Sequence, residues 1–315
     1  MLHVLNGDAT ATVFAAAELP GDVLVWRDIL VEGPVSPQWP SPATLDVRTA
    51  YLADTLGIDA ARYRTGVREQ QAGLATARGR DEVVLWFEQD LFCAVNLWFV
   101  LAWLAQQQAP GTLTLVYPPL DEMKGLGTLA PAQLSAHFRE RRQVTPHVLT
   151  LGRQAWEAYT AADPRAAAAL AEREDDALPF VREAFRLHCA RFPSVVTGLN
   201  EIETTTLAAL ERGPQAFGAL FRAVTTDPRG ARHGIGDVQF AACLRALMPL
   251  VTASGSDVTA ADIAITAMGR EILGGQRDWP SVRGLDAWLG GVHLGGERPR
   301  WRWDGAHRRL VESTG

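Results

Sequence analysis

The sequence contains little lysine, little cysteine and no long apolar run, and each shortage excludes a class of protein. Of the 30 basic residues only Lys124 is a lysine, and glycine follows it where a P-loop NTPase has serine or threonine. The cysteines, Cys93, Cys189 and Cys243, lie far apart without a Cys-x-x-Cys, which argues against a disulfide framework and a zinc site. The longest apolar stretch, 91–104, is shorter than the roughly 20 residues of a membrane span.

The bulk composition is that of a folded protein with no general attraction to polyanions. Hydrophobic residues make up 47% of the 315 residues and charged residues 21%, which is typical of globular proteins. The net charge of -6 means that contact with nucleic acid or an anionic membrane would need a local basic patch. With no disulfide pattern and no signal-peptide-like start, we expect a cytosolic protein of two domains.

The first 130 residues alternate strand-like and helix-like patterns. Short apolar runs predict strands over 3–6, 22–30, 82–87 and 112–117. The segments between and after them predict helices over 9–19, 44–56, 60–78 and 91–107. Nearly continuous apolar strands that alternate with helices are typical of a parallel sheet covered on both faces. Residues 1–130 are therefore predicted to form a doubly wound, mostly parallel α/β domain of Rossmann-like architecture.

The rest of the chain predicts helices first and a second unit afterwards. Residues 131–191 include an alanine-rich run and are predicted to be connecting helices. In the unit 192–315, Asn200 and Glu203 have capping-box spacing, and Asp237 is predicted to cap a later helix. Three helices followed by a two-stranded wing predict a winged helix-turn-helix-like domain. A Trp-rich hairpin is predicted to close the chain.

Polar residues follow the ends of the first three predicted strands. In sheets of this kind, ligands bind beyond the carboxyl ends of the strands, near the point where strand order reverses. The candidate ligand-binding residues are Asn6, Gly7, Arg27, Asp28, Glu32 and Gly33. The candidate catalytic and metal-binding residues are Asp8, Glu88 and Asp90.

Three uses of these charged residues are consistent with the sequence. Asp8, Glu88 and Asp90 could hold Mg²⁺ beside a substrate phosphate. A carboxylate with a raised pKa could instead act as a general acid or base while Arg27 binds an anionic substrate. In a purely structural role, Asp8 and Asp90 would cap helices and Glu88 would pair with Arg27.

The predicted winged helix has three candidate roles. Its presumptive recognition helix, 237–250, carries Gln239 and Arg245 as possible DNA-reading residues. One arginine is few for a DNA reader, so the alternatives are docking to a partner and a purely structural role. The Arg- and Trp-rich segment 297–309 could stack on bases or on a partner, but it is also typical of self-packing cation–π contacts.

Several phrases carry a resemblance to a known family. These phrases are HVLNGDATA, VWRDILVEGPV, LWFEQDLF, and WLGGVHL followed by WRWD. The sequence thereby resembles the bacterial family catalogued as domain of unknown function 1835, over about 2–117 and again near the carboxyl terminus. The resemblance implies no established activity. It does imply that the candidate residues from Asn6 to Asp90 belong to family phrases.

The sequence as a whole predicts a ligand-binding α/β protein. Its ligand is expected to be small and anionic or phosphorylated, with Mg²⁺ as a possible cofactor and a phosphoryl- or nucleotide-related reaction as a possible activity. The winged helix would couple the α/β domain to a partner. The alternatives are a ligand-responsive DNA-binding transcription regulator and a protein-interaction module without chemistry.

Overall fold

A computed structural model describes residues 1–107, 111–118, 125–175, 177–178 and 180–313, so Lys124 lies outside the described residues. The first part of the chain alternates strands and helices as predicted. Its elements are β1 (Leu2–Asn6), α1 (Asp8–Ala16), β2 (Asp22–Trp26), α2 (Pro42–Leu56), α3 (Ala60–Ala75), β3 (Glu82–Trp86), α4 (Leu91–Gln106) and β4 (Thr112–Val116).

The central sheet is mostly parallel, which confirms the predicted α/β class. Helix α5 (Pro131–Arg139) is followed by the short strand β5 (Arg142–Gln143), and the strand order is β2-β1-β3-β4-β5. Strands β1 to β4 pair in parallel, and only β5 is antiparallel. The chain leaves β1 towards β2 and then crosses to β3 on the other side, so the strand order reverses between β1 and β3.

Both faces of the sheet are covered, because alternate residues of a strand point to opposite faces. On β3, Val83 and Leu85 belong to the large core formed with α4, whereas Val84 and Trp86 belong to a smaller core on the side of α1 and α5. Of the residues in α4, twelve are buried, which matches the prediction of a buried helix. Within the described ranges, no helix has the length and apolarity needed to cross a membrane.

The helices that follow pack onto the same core as the sheet. They are α6 (Pro146–Thr160), α7 (Arg165–Glu172) and α8 (Phe180–Ala190). Trp98 of α4 stacks on Phe185 of α8 with ring centroids 4.3 Å apart, and Phe99 of α4 contacts Trp156 of α6 edge-on at 5.2 Å. The predicted connecting helices therefore extend the core of the α/β domain.

The second unit has its own core and a small antiparallel sheet. Its elements are α9 (Glu201–Leu210), β6 (Gln215–Ala216), α10 (Phe217–Thr226), α11 (Asp237–Ala246), β7 (Val251–Ala253), β8 (Asp262–Ile265), α12 (Ala267–Leu273) and α13 (Trp279–Arg283). The strand order is β6-β8-β7. Asn200 and Glu203 form the predicted capping box. The prediction for Asp237 is wrong: Gly236 occupies the N-cap, and Asp237 is the first helical residue.

The described carboxyl-terminal region forms two antiparallel hairpins where the sequence predicted one. They consist of β9 (Leu285–Leu289) with β10 (Val292–Gly296), and β11 (Trp301–Asp304) with β12 (Arg309–Glu312). Trp301 is buried, and the guanidinium groups of Arg300 and Arg165 lie 5.4 Å and 5.7 Å from its ring. This arrangement matches the self-packing interpretation of the Arg- and Trp-rich segment.

A charged node joins the two units. Arg191, just after α8, donates to both carboxylate oxygens of Glu32 at 2.8 and 2.9 Å and to the Val31 carbonyl at 2.6 Å. The Gln239 side chain of α11 donates to Glu32 Oε1 at 3.0 Å. Because the side chains of Arg191 and Glu32 are only 10% and 19% exposed, little water screens their attraction.

We predict that Arg191→Met destabilises the protein strongly. Glu32 would then keep a largely buried carboxylate without its cation, which typically costs about 3 kcal/mol or more. Urea unfolding followed by circular dichroism measures the change. The control is Arg153→Met, which removes an exposed i,i+4 pair with Glu157 and should shift the midpoint little. Equal shifts of the urea midpoint in Arg191→Met and Arg153→Met would show that the buried ion pair contributes no more to stability than an exposed one.

Candidate functional site

The reversal of strand order places the β1–α1 loop beside the β3–α4 loop, and we call the region bordered by these two loops the crevice. Gly7 occupies the N-cap of α1 with a φ of 89°, a conformation that favours glycine, and its N–H donates to the Trp26 carbonyl at 2.9 Å. No described side chain caps α1, so Asp8 is not the predicted helix cap. The first turn of α1 therefore has backbone N–H groups that receive no side-chain cap from the part of the chain that the structure describes.

Glu88 lies two residues after the end of β3 and is largely buried. Its Oε1 accepts a hydrogen bond from the Leu126 N–H at 2.8 Å, in the 3₁₀ turn Leu126–Thr128. The neighbouring Gly127 packs against the first turn of α1, where a β-carbon would lie 2.6 Å from that of Ala9. Burial, and then the negative charge of Asp90, raises the pKa of Glu88 to about 7. Glu88 can therefore gain or lose a proton near neutral pH.

Asp90 caps α4, as predicted. Its Oδ1 accepts from the Cys93 N–H at 2.9 Å, and burial raises the pKa of Asp90 although the hydrogen bonds to it oppose that effect. The second unit reaches this carboxylate, because a β-carbon added to Gly234 would lie 2.1 Å from Asp90 Oδ1. The site is thus bordered by both units, which the sequence did not indicate.

Cys93 and Asn96 complete the cluster, and neither was predicted as a site residue. Asn6 Nδ2 donates to Cys93 Sγ at 2.8 Å, and Asn96 Nδ2 donates to Asn6 Oδ1 at 3.0 Å. Burial holds the pKa of the Cys93 thiol well above its usual range. The one available sequence signal was Asn96, a polar residue in an apolar helix. A lone cysteine in such a helix is ordinarily a core residue.

Glu88, Asp90 and Cys93 form the group that could hold a metal ion. One potential ligand atom from each residue lies within 4.8 Å of those from the other two. The predicted set contained Asp8 in place of Cys93, and Asp8 is not part of this group. A thiolate with two carboxylates suits Zn²⁺ or another borderline cation better than Mg²⁺, which prefers oxygen ligands. The number and spacing of the cysteines argued against a zinc site built from several cysteines, whereas this group contains one cysteine and two carboxylates.

Asp8 and Arg27 form an exposed ion pair on the flank of α1. Arg27 donates through Nε and Nη2 at 2.7 to 3.0 Å, and the hydrogen bond lowers the pKa of Asp8. The predicted pairing of Arg27 with Glu88 is therefore wrong. With side-chain exposures of 54% for Arg27 and 70% for Asp8, the pair is open to solvent and contributes little to stability.

Asp28 belongs to a buried polar network. It accepts from Tyr63 Oη at 2.9 Å and from the fully buried Arg48 at 3.4 Å. Arg48 also donates to the carbonyls of Ile29 and Glu32, so it fixes the loop that follows β2. Asp28 is 2% exposed and faces these partners, which makes it a structural residue of the fold.

Glu32 and Gly33 likewise serve the fold. Glu32 binds Arg191 and Gln239, and Gly33 has a φ of 72° with the Tyr51 ring so close that a β-carbon would lie 2.8 Å from it. Glu32 therefore occupies the interface between the units, outside the crevice cluster. Gln239, predicted to read DNA, donates inwards to Glu32, while Arg245 is exposed.

The chain was compared with protein-family models and with curated proteins. No protein-family model matches the chain, and no curated protein matches it. The resemblance drawn from the sequence phrases therefore stays a prediction.

We predict that Glu88 makes stability fall as the pH rises. Below its ordinary pKa of 4.5 the carboxyl is protonated in both states; between 4.5 and about 7 only the folded state keeps the proton, so stability is lost across that window. At pH 8 the free energy of unfolding of Glu88→Gln should therefore exceed that of the native protein by about 2 kcal/mol, after allowance for solvent screening. Near pH 4.5 the two free energies should be equal.

Urea unfolding at several pH values measures this difference, with the exposed Glu157→Gln as a control whose stability should run parallel to that of the native protein. If the stabilities of the native protein and Glu88→Gln changed in the same way with pH, protonation of Glu88 would not be coupled to folding.

Proposed function

We propose that the protein binds a divalent cation through Glu88, Asp90 and Cys93, and with it a small anionic ligand in the crevice between β1 and β3. The observation that carries the proposal is the convergence of three ligand atoms within 4.8 Å at the reversal of strand order. Among the described residues, no arginine or histidine forms an ion pair with Glu88 or Asp90. A bound cation would supply the missing positive charge.

The electrostatics of the cluster support a cation. Burial raises the pKa of both carboxyl groups and of the thiol, and the negative charge of Asp90 raises that of Glu88 further. A divalent cation reverses all three effects, since it favours the deprotonated form of each ligand. Binding should therefore release protons and strengthen as the pH rises.

The anionic ligand follows from the surroundings of the cluster. The first turn of α1, with Gly7 at its N-cap and no side-chain cap, offers N–H groups and the positive end of a helix dipole. A phosphate or carboxylate between this turn and the cation would be stabilised by both. A phosphorylated substrate fits this arrangement.

We further propose that the unit around α9 to β8 is a winged-helix domain that docks within the chain. The order helix, strand, two helices and two strands, with a three-stranded sheet, supports this assignment. Its third helix, α11, contacts α2 and reaches Glu32 through Gln239. Because that face meets the α/β domain, docking is favoured over DNA reading. The unpaired Cys93, Cys189 and Cys243 support a reducing compartment such as the cytosol.

We predict that Zn²⁺ raises the melting temperature at pH 8 and that Mg²⁺ raises it less. A cation at a hundred times its Kd adds about 2.7 kcal/mol to the stability of the folded state. Co²⁺ in place of Zn²⁺ should give a near-ultraviolet thiolate-to-cobalt absorption band. Cys93→Ala should lose that band, and Glu88→Gln, which we expect to fold well, should lose most of the Zn²⁺-dependent shift.

The matched control is Cys243→Ala, since Cys243 is a partly exposed thiol outside the crevice. This variant should keep both the band and the shift. If the cobalt band were lost in Cys243→Ala but kept in Cys93→Ala, the metal would bind elsewhere. If none of the three cations raised the melting temperature, the site would be refuted.

A further inference from the structure

A second cleft lies away from the crevice, where the three parts of the chain meet. It has a volume of about 290 Å³ and is open to solvent. Its walls come from α8, from the start of α9 and from the hairpin of β11 and β12. Clefts between structural units are a common location for small-ligand sites. The crevice residues Glu88, Asp90 and Cys93 do not line it.

Two of its charged residues are already neutralised. Glu183 pairs with Arg232 at 2.7 Å, and Arg186, 3.9 Å from Glu183, also lies 3.6 Å from Glu172. These four side chains sum to zero charge and satisfy one another. Glu183 and Arg186 therefore line the cleft without an unpaired charge that a ligand would have to neutralise.

The carboxylate of Glu201 is not neutralised by its partner. It lies 2.9 Å from Nε2 of His233, a side chain that is only 1% exposed. Burial lowers the pKa of His233, so the imidazole is neutral near pH 7 and donates a hydrogen bond without cancelling the charge. Glu201 is 27% exposed and lines the cleft, where it can receive a cationic group.

Arg308 supplies the opposite charge from the hairpin. Arg308 is exposed and lines the cleft. It forms no hydrogen bond or ion pair within the described part of the chain. Its φ of 51° is uncommon for arginine and holds it in the turn between β11 and β12. Trp303, Leu187 and Ala190 add apolar side chains to the lining of the same cleft.

We propose that this cleft binds an amino acid with an apolar or aromatic side chain. Glu201 receives the ammonium group, Arg308 receives the carboxylate, and Trp303 with Leu187 contacts the side chain. A volume of about 290 Å³ is near the lower end of the range for small-ligand pockets. This site is independent of the proposed cation site, because the two share no residue.

Isothermal titration of the full-length protein with L-phenylalanine and L-leucine tests the proposal. Two analogues separate the contributions: N-acetyl-L-phenylalanine lacks the ammonium group, and L-phenylalanine amide lacks the carboxylate. Both should bind about tenfold or more weakly than L-phenylalanine, because each leaves one charged residue of the cleft unpaired.

Variants assign the contacts. Arg308→Asn should weaken L-phenylalanine about tenfold, and asparagine tolerates the left-handed turn that Arg308 adopts. Glu201→Gln, which can still accept from His233, should weaken it similarly. The matched control is Arg309→Gln, which removes an arginine of the same hairpin that does not line the cleft. Its affinity should stay within about twofold of the native protein.

Three results would overturn the proposal. They are no heat of binding with either amino acid, equal affinity for L-phenylalanine and both analogues, and unchanged affinity in Arg308→Asn and Glu201→Gln. Circular dichroism confirms that each variant is folded. Because Glu88→Gln leaves this cleft intact, it should bind L-phenylalanine normally, so failure of one site is distinguishable from failure of the other.

Discussion

The arrangement of the whole chain depends on the burial of one guanidinium group. An arginine cannot release its proton in a protein, so Arg191 can be buried only if acceptors surround it. Glu32 and the Val31 carbonyl provide them from the loop after β2, and Gln239 binds the far side of Glu32. The node therefore fixes the end of α8, a loop of the sheet domain and α11 at one point. It holds the second unit where Gly234 can reach Asp90.

That docking gives each proposed site a wall from the second unit. In the crevice, Gly234 closes over Asp90, and at the second cleft the start of α9 contributes Glu201. A ligand in either place contacts groups whose relative position the Arg191 node maintains. A conformational change that separated the units would therefore dismantle both sites, whereas local motion of one loop would affect only one.

Sequence periodicity was enough to predict the four parallel strands, because each is locally apolar and the connections between them are helical. It did not predict β5, a two-residue strand in a segment expected to be helical. The strand-end rule also found Asn6, Glu88 and Asp90, which the structure brings together with Cys93. It could not separate them from Asp28 and Glu32, because the decisive partners are distant in sequence. Glu32 meets its arginine 159 residues away and its glutamine 207 residues away. No local pattern records such a contact.

The carboxylates at the strand ends therefore differ by their partners and not by their positions. Asp28 forms an ion pair with the buried Arg48, and Glu32 forms one with Arg191. Glu88 and Asp90 follow the neighbouring strand, yet the hydrogen bonds they receive in the described chain come from backbone N–H groups and the thiol of Cys93. The proposed cation would supply the positive charge that no arginine or histidine of the described residues brings to Glu88 and Asp90.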